Sequence, residues 1–114
     1  MTKLSDLDID LRISIQNPNS RSHSVFGRGI AMLCVGVQKS GSLNASAKDL
    51  GMAYSKAWRI IKDTEEALGF ALLHRDGPRG SSLTPEAIKL IKAYEEIEEE
   101  LANNASKLLS LKLQ

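Results

Sequence analysis

Hydrophobic and polar residues alternate near the start of the chain. From Asp8 to Ile15 the apolar side chains occupy every second position, the period of a half-buried strand. Residues 16–21 are rich in turn-forming types, and residues 24–26 suit a short return strand. The pattern therefore predicts an N-terminal β-hairpin that ends near Gly27.

The spacing of apolar residues then becomes helical. Between Arg28 and Lys39 they follow the i, i+3, i+4, i+7 rule, and Gly41 is placed to end this first helix. A short second helix, capped by Ser42 or Asn44, ends at Gly51. We expect the first two helices to bury Ile30, Leu33, Cys34, Val37, Leu43, Ala47 and Leu50.

A third helix is predicted from Ser55, as N-cap, to Leu68, with Gly69 after it. It is amphipathic, so one face can pack on the core while the other carries positive charge. We expect its inward residues to be Ala57 or Trp58, Ile61, Ala67 and Leu68.

The last third of the chain predicts a small hairpin and a long helix. Residues 71–76 and Ser82–Leu83 suit short strands around a Gly/Pro-rich tip. Thr84 as N-cap and Pro85 at the first helical position then begin a helix that reaches about Leu111.

Together these elements predict a mainly α fold with small β-hairpins: a winged helix-turn-helix with an N-terminal β-hairpin and a long C-terminal dimerisation helix. Residues 1–84 would form the winged domain and residues 85–114 the dimerisation helix. In such units the second helix of the turn enters the DNA major groove.

The predicted recognition helix, residues 55–68, and the predicted wing, residues 75–82, carry the candidate DNA contacts. Arginine, lysine and serine side chains can reach base edges, and tyrosine and further cations suit phosphates. We expect base or near-base contacts from Ser55, Lys56 and Arg59. We expect phosphate or wing contacts from Tyr54, Lys62, Arg75 and Arg79. Trp58 suits either an anchor between helices or a ring packed on DNA sugars and thymine methyls.

The segment SGSLNASAKDLGMAYSKAW resembles the N-terminal DNA-binding domain of the molybdate-responsive regulator (ModE) family. With LGFALLHRDGPRGSSLTPEA after it, the segment is also similar in layout to LysR-type regulators. The resemblance implies a winged helix-turn-helix that binds double-stranded DNA as a dimer. The wing holds only Gly77 and Gly80, fewer glycines than is usual in the family. The resemblance does not include the family's molybdate-binding domains, so we do not carry molybdate sensing over to these residues.

A heptad seam runs along the last helix. Its members follow one another at alternating spacings of four and three, the pattern of a coiled coil, with acidic residues on the outer faces. A polar residue within such a seam can fix its register. The predicted dimer contacts are Leu90, Tyr94, Ile97, Leu101, Asn104, Leu108 and Leu111. The alternative is that the helix packs back onto its own domain.

Composition excludes several other classes of function. The lone Cys34 permits no disulfide or Cys-x-x-Cys metal site and is expected to be a buried hydrophobe. His23 and His74 lack ligand spacing, and no nucleophile–base pair or phosphate loop is present. We therefore expect that the protein is not an enzyme and that it binds no metal or cofactor. The sequence identifies no small-molecule effector. No segment predicts a membrane span or signal peptide, which favours a cytoplasmic location.

The net charge of +1 is unevenly distributed along the chain. Residues 1–62 carry nine Lys/Arg and four Asp/Glu, whereas residues 63–114 carry six Lys/Arg and ten Asp/Glu. A basic half suits a polyanion. The leading hypothesis is a homodimeric, sequence-specific DNA-binding transcriptional regulator. The alternative is a winged-helix protein–protein interaction module that acts through the acidic C-terminal helix.

Overall fold

The computed structural model describes the backbone of residues 1–114 and every side chain except that of Arg79. This part of the chain contains four α-helices, one two-stranded antiparallel sheet and two 3-10 turns, which are Leu4–Asp6 and Gly77–Arg79. In chain order they are α1 (Arg28–Ser40), α2 (Leu43–Asp49), α3 (Tyr54–Leu68), β1 (Leu73–Arg75), β2 (Ser81–Leu83) and α4 (Pro85–Lys112). The predicted winged helix-turn-helix is confirmed.

Helix α1 is the centre of the core. The residues predicted to face inward, Ile30, Leu33, Cys34 and Val37, are all buried. Helices α2, α3 and α4 and both strands pack around them because each contributes apolar side chains to the same cluster. The further buried side chains include Phe26, Leu43, Ala57, Ile61, Leu72, Leu83 and Ile91.

The corner between α2 and α3 forms nearly as predicted. Ser42 caps α2 by accepting a hydrogen bond from the Ala45 amide at 3.1 Å, and Gly51 occupies the turn at a φ of +67°. The prediction for Leu50 was wrong: it is 36% exposed. Helix α2 ends at Asp49, so Leu50 already belongs to the turn and no longer follows the helical face.

The predicted N-terminal hairpin was wrong in extent. Among the described residues it is reduced to one bridge, in which Ile15 and Phe26 donate their amides to each other's carbonyl at 2.8 Å. Alternate residues from Leu11 to Ile15 are half-buried, as the period predicted. Leu11 lies beside α4, where it and Ile9 line a groove with residues 95–102 of that helix, whereas Ile13 and Ile15 pack against the core. The backbone groups of a helix are already hydrogen-bonded to one another, so α4 cannot pair with this segment as a strand would. Burial therefore alternates along the segment although it forms no strand.

Helix α4 begins as predicted and continues the core. Thr84 accepts a hydrogen bond from the Ala87 amide at 3.1 Å and donates one to the Ala71 carbonyl at 2.7 Å. Ala87, Ile91 and Tyr94 are buried, so the first part of α4 is packed against the same core as α1. The remainder of the helix extends past that core.

Candidate nucleic-acid interface

Helix α3 presents one face to the core and the other to solvent. Ala57, Ile61, Thr64 and Ala67 are buried, which fixes the rotation of the helix about its axis. The polar candidates Ser55, Lys56, Arg59 and Lys62 are all exposed. The structure therefore brings these four of the five predicted contact residues of α3 onto one solvent-facing side; the fifth, Tyr54, is exposed at the start of the helix.

The helix begins two residues earlier than a Ser55 cap requires. Its N-cap is Ala53, which offers no side-chain hydrogen bond, and Tyr54 is the first helical residue. The prediction of Ser55 as N-cap was therefore wrong. Ser55 lies in the first turn instead, and its side chain is left to solvent. This suits a contact with a ligand better than a capping role would.

The cations on α3 differ in how far they are engaged within the chain. Lys62 lies 3.4 Å from a carboxylate oxygen of Glu65. The ion pairs found among the described residues do not include Lys56 or Arg59. These two side chains therefore carry the uncompensated positive charge of the helix.

Trp58 lies at the border between α3 and the wing. Its indole N–H donates to the Tyr54 hydroxyl at 2.6 Å, and the two rings pack edge to face at 6.4 Å. The Arg75 guanidinium lies 3.9 Å from the ring centroid, and the Lys62 ammonium lies 5.2 Å from it. Trp58 is half-buried against the core, so the predicted anchor is present together with polar contacts that the sequence analysis missed.

A second contact missed from the sequence joins α3 to the wing. The Glu65 carboxylate accepts hydrogen bonds from the backbone amides of Leu72 and Leu73, at 2.7 and 3.3 Å. The same carboxylate pairs with Lys62. Because these bonds cross the α3–β1 connection, they fix the wing relative to the helix. No periodic pattern signals them.

The wing has a firm base. In the ladder Leu73 pairs with Leu83 and Arg75 pairs with Ser81. The Ser81 amide donates to the Gly41 carbonyl at 2.8 Å, which ties the wing to the end of α1. Arg75 is exposed at the end of β1 and lies close to Trp58 of α3. The predicted contact Arg79 has its side chain outside the described part of the chain.

The heptad seam of α4 divides into two parts. Leu90 is half-buried against the core, and Tyr94 is only 3% exposed, edge to face with Phe26 at 5.6 Å. Tyr94 is thus a core residue of its own chain rather than the predicted dimer contact. The apolar members of the remaining seam, between 42% and 63% exposed, are Ile97, Leu101, Leu108 and Leu111. Asn104 is exposed among them.

A polar junction marks the point where α4 leaves the core. Arg28 lies 3.8 Å from both Asp10 and Glu98, and the Tyr94 hydroxyl donates to Glu98 at 3.0 Å. Burial, followed by the hydrogen bond and charge of Glu98, raises the pKa of Tyr94. The phenol therefore stays a neutral donor near neutral pH.

The remaining titratable candidates lie apart from the interface. Cys34 is fully buried, and burial raises the pKa of its thiol to about 12. His23 and His74 are exposed. Among the described residues, no three His, Cys, Asp or Glu side chains come together as a possible metal site. Within the same residues, no helix has the length and apolar character to span a membrane.

Comparison with known proteins places this arrangement among bacterial regulators. The model of the bacterial regulatory helix-turn-helix proteins of the lysR family matches residues 32–88, half of the chain. The HTH-type transcriptional regulator CrgA of Neisseria meningitidis serogroup C is 38% identical over 77 residues. The match covers 68% of this chain and 25% of CrgA, so the chain spans about a quarter of the length of this curated relative.

Two solved structures share the fold. The CbnR DBD–DNA complex has a TM-score of 0.60 at 24% identity, covering 75% of this chain and 97% of that one. CbnR, a LysR family transcriptional regulator, has a TM-score of 0.56 at 24% identity, covering 69% of this chain and 27% of that one. The similarity to ModE proteins noted from the sequence is not confirmed by these comparisons, whereas the LysR-type layout is. The chain belongs to the LysR family of bacterial regulatory helix-turn-helix proteins.

Proposed function

We propose that this chain is the sequence-specific DNA-binding part of a transcriptional regulator, with α3 in the major groove. The observation that carries the proposal is the exposed basic side of α3. Lys56 and Arg59 point away from the core without a carboxylate partner, on a helix whose rotation is fixed by four buried residues. The family match and the CbnR DBD–DNA complex support the proposal.

The proposed contacts follow from chemistry and position. Ser55, Lys56 and Arg59 lie on the exposed side of α3 and suit base edges, where arginine and lysine recognise guanine. Tyr54, Lys62, Arg75 and Arg79 suit phosphates, which fix register without specifying sequence. Because Lys62 is paired with Glu65, we expect it to contribute less than Arg59.

The chain would act as a homodimer through the exposed seam of α4. Five glutamates lie between Glu95 and Glu100, whereas Lys107 and Lys112 are the charged residues of positions 101–114. An antiparallel pair would set each acidic segment against the partner's lysines and would bring the two Asn104 amides together near its centre. Two copies would then offer two recognition helices to half-sites about one helical turn apart.

The test is a fluorescence-anisotropy titration of a labelled duplex across a salt series. An Arg59→Ala, Lys62→Ala double variant should bind more weakly and with a shallower salt slope, by roughly 0.9 for each phosphate that the variant no longer neutralises. The matched control, Lys3→Ala with Arg12→Ala, removes the same charge outside α3 and the wing and should bind like the wild type.

Equal weakening in both double variants would show that only net charge matters and would overturn the assignment to α3. No binding at low salt by a folded wild type would overturn the DNA-binding proposal itself. It would favour the interaction module, for which the five exposed or half-buried glutamates from Glu95 to Glu100 are the specific observation.

A further inference from the structure

Trp58 has more polar contacts than a core anchor needs. Its ring faces the guanidinium of the wing residue Arg75 at 3.9 Å, and its N–H donates to Tyr54. We propose that Trp58 is a positioning residue: its ring holds Arg75 of the wing in the orientation in which that side chain meets DNA. This inference rests on the proposed DNA-binding function and assigns how the wing takes part in it.

Arg75 has little else to hold it. It is exposed at the end of a three-residue strand, and the ion pairs among the described residues do not include it. An arginine side chain loses considerable rotamer entropy when it is fixed. A planar guanidinium stacked on an indole is restrained before DNA arrives, so less of that entropy remains to be lost on binding.

The aromatic ring of Trp58 lies at the edge of the core rather than inside it. On the same helix Ala57 and Ile61 are completely buried, whereas Trp58 is only half-buried at the edge of the core. The two cations near its face, Arg75 and Lys62, and the hydroxyl on its N–H are features that filling space does not require. The ring spans α3 and β1, so it can couple the recognition helix to the wing.

The first test needs no DNA. Trp58 is the only tryptophan of the chain, so its fluorescence reports on the Arg75 contact directly. Arg75→Ala should uncover the ring, seen as increased quenching by the neutral quencher acrylamide and a changed emission intensity, whereas Arg12→Ala should leave both unchanged. Unaltered quenching in Arg75→Ala would overturn the contact.

The second test is a double-variant cycle of DNA affinity with Trp58→Leu, Arg75→Ala and their combination. We expect each single variant to weaken binding by about fivefold and the combination to be no weaker than Arg75→Ala alone, as for two residues acting as one unit. If the double variant instead lost affinity by the product of the two single-variant losses, the positioning role would be overturned. Trp58→Phe keeps an aromatic face and should weaken binding less than Trp58→Leu does, with thermal unfolding checking that each variant is folded.

The two proposals fail in different ways. If the wild type shows the fluorescence contact but binds no duplex, the proposed DNA-binding function is wrong and the positioning role with it. If the wild type binds duplex and the Arg59 variant weakens it, but the cycle is additive, only the role of Trp58 is overturned.

Discussion

Apolar side chains are mostly buried in the helix-turn-helix and its wing but mostly exposed in the distal half of α4. In α3 the apolar side faces the core, with Ala57 and Ile61 fully buried, and the exposed side is polar. Beyond Tyr94, α4 leaves Ile97, Leu101 and Leu108 more than 40% exposed. The first region is complete within one chain, whereas the second has an apolar stripe with no partner in the described structure.

This difference shows where a second molecule would contribute. Burial of apolar area stabilises by about 25 cal/mol per Å², so a continuous exposed stripe lowers its free energy by pairing. The N-terminal segment covers only a neighbouring strip of α4: Leu4 and Leu7 line a groove with Leu109 and Leu113. The seam itself stays open for the proposed dimer.

The largest expected effect comes from placing charge in the seam. Leu101→Asp with Leu108→Asp should turn a dimer into a monomer, because each leucine would be buried twice in a symmetric pair at about 2 kcal/mol apiece. Sedimentation velocity would measure the change, and binding to a duplex with two half-sites should fall with it.

The matched control for the seam is Asn103→Asp with Ser106→Asp, two exposed positions of the same helix outside the seam. These changes should leave a folded protein that is still mainly dimeric. A wild type that sediments as a monomer at all concentrations would contradict the proposal that the exposed seam of α4 forms a dimer.

A moderate effect is expected within the first region, where packing is closest. A Cβ added at Gly36 would lie 2.1 Å from the Ser46 hydroxyl oxygen, which donates to the Leu33 carbonyl at 2.8 Å. Gly36→Ala should therefore destabilise the domain by about 1–3 kcal/mol through overpacking. Thermal unfolding would measure this as a lowered Tm.

Gly29→Ala is the control on the same helix, because nothing lies within 4 Å of the added carbon. It should leave stability unchanged or raise it slightly, by up to about 1 kcal/mol. Equal Tm values for the two variants would contradict the close α1–α2 packing.

The smallest effect concerns Cys34 in the centre of the first region. Its thiol pKa of about 12 keeps it protonated, so a thiol reagent should label it only through unfolding and far more slowly than in denaturant. Since the pKa is raised in the folded state, the associated stability is present below the unfolded thiol's pKa and declines as pH rises above it. Fast native labelling near neutral pH would contradict the burial.

Local signals in the sequence predicted most of the fold. Helical spacing identified the inward side of α1, and Thr84 followed by Pro85 gave the start of α4. These local signals failed where a contact joined residues of different elements. Glu65 looks like any surface acid, yet it accepts two amide hydrogen bonds from the wing.

The N-terminal segment shows the same limit. Period two in Leu11, Ile13 and Ile15 predicted alternate burial correctly, but it could not show whether a strand or a helix lay alongside. Tyr94 fits the heptad spacing as well as Leu101 does. Only the position of Phe26 opposite it decides that Tyr94 belongs to the core.

The attachment of the wing bears on how such a protein can diversify. At Gly80 a Cβ would lie 2.2 Å from the Gly41 carbonyl oxygen, and the Asp76 amide donates to the Gly80 carbonyl at 2.8 Å. The base of the wing is thus intolerant of change, and Gly77 is restricted as well because its φ of +63° is a conformation that other residues rarely adopt. Substitution of the exposed Pro78, or a grafted loop that replaces residues 77–79 as a unit, would change the tip without altering the scaffold.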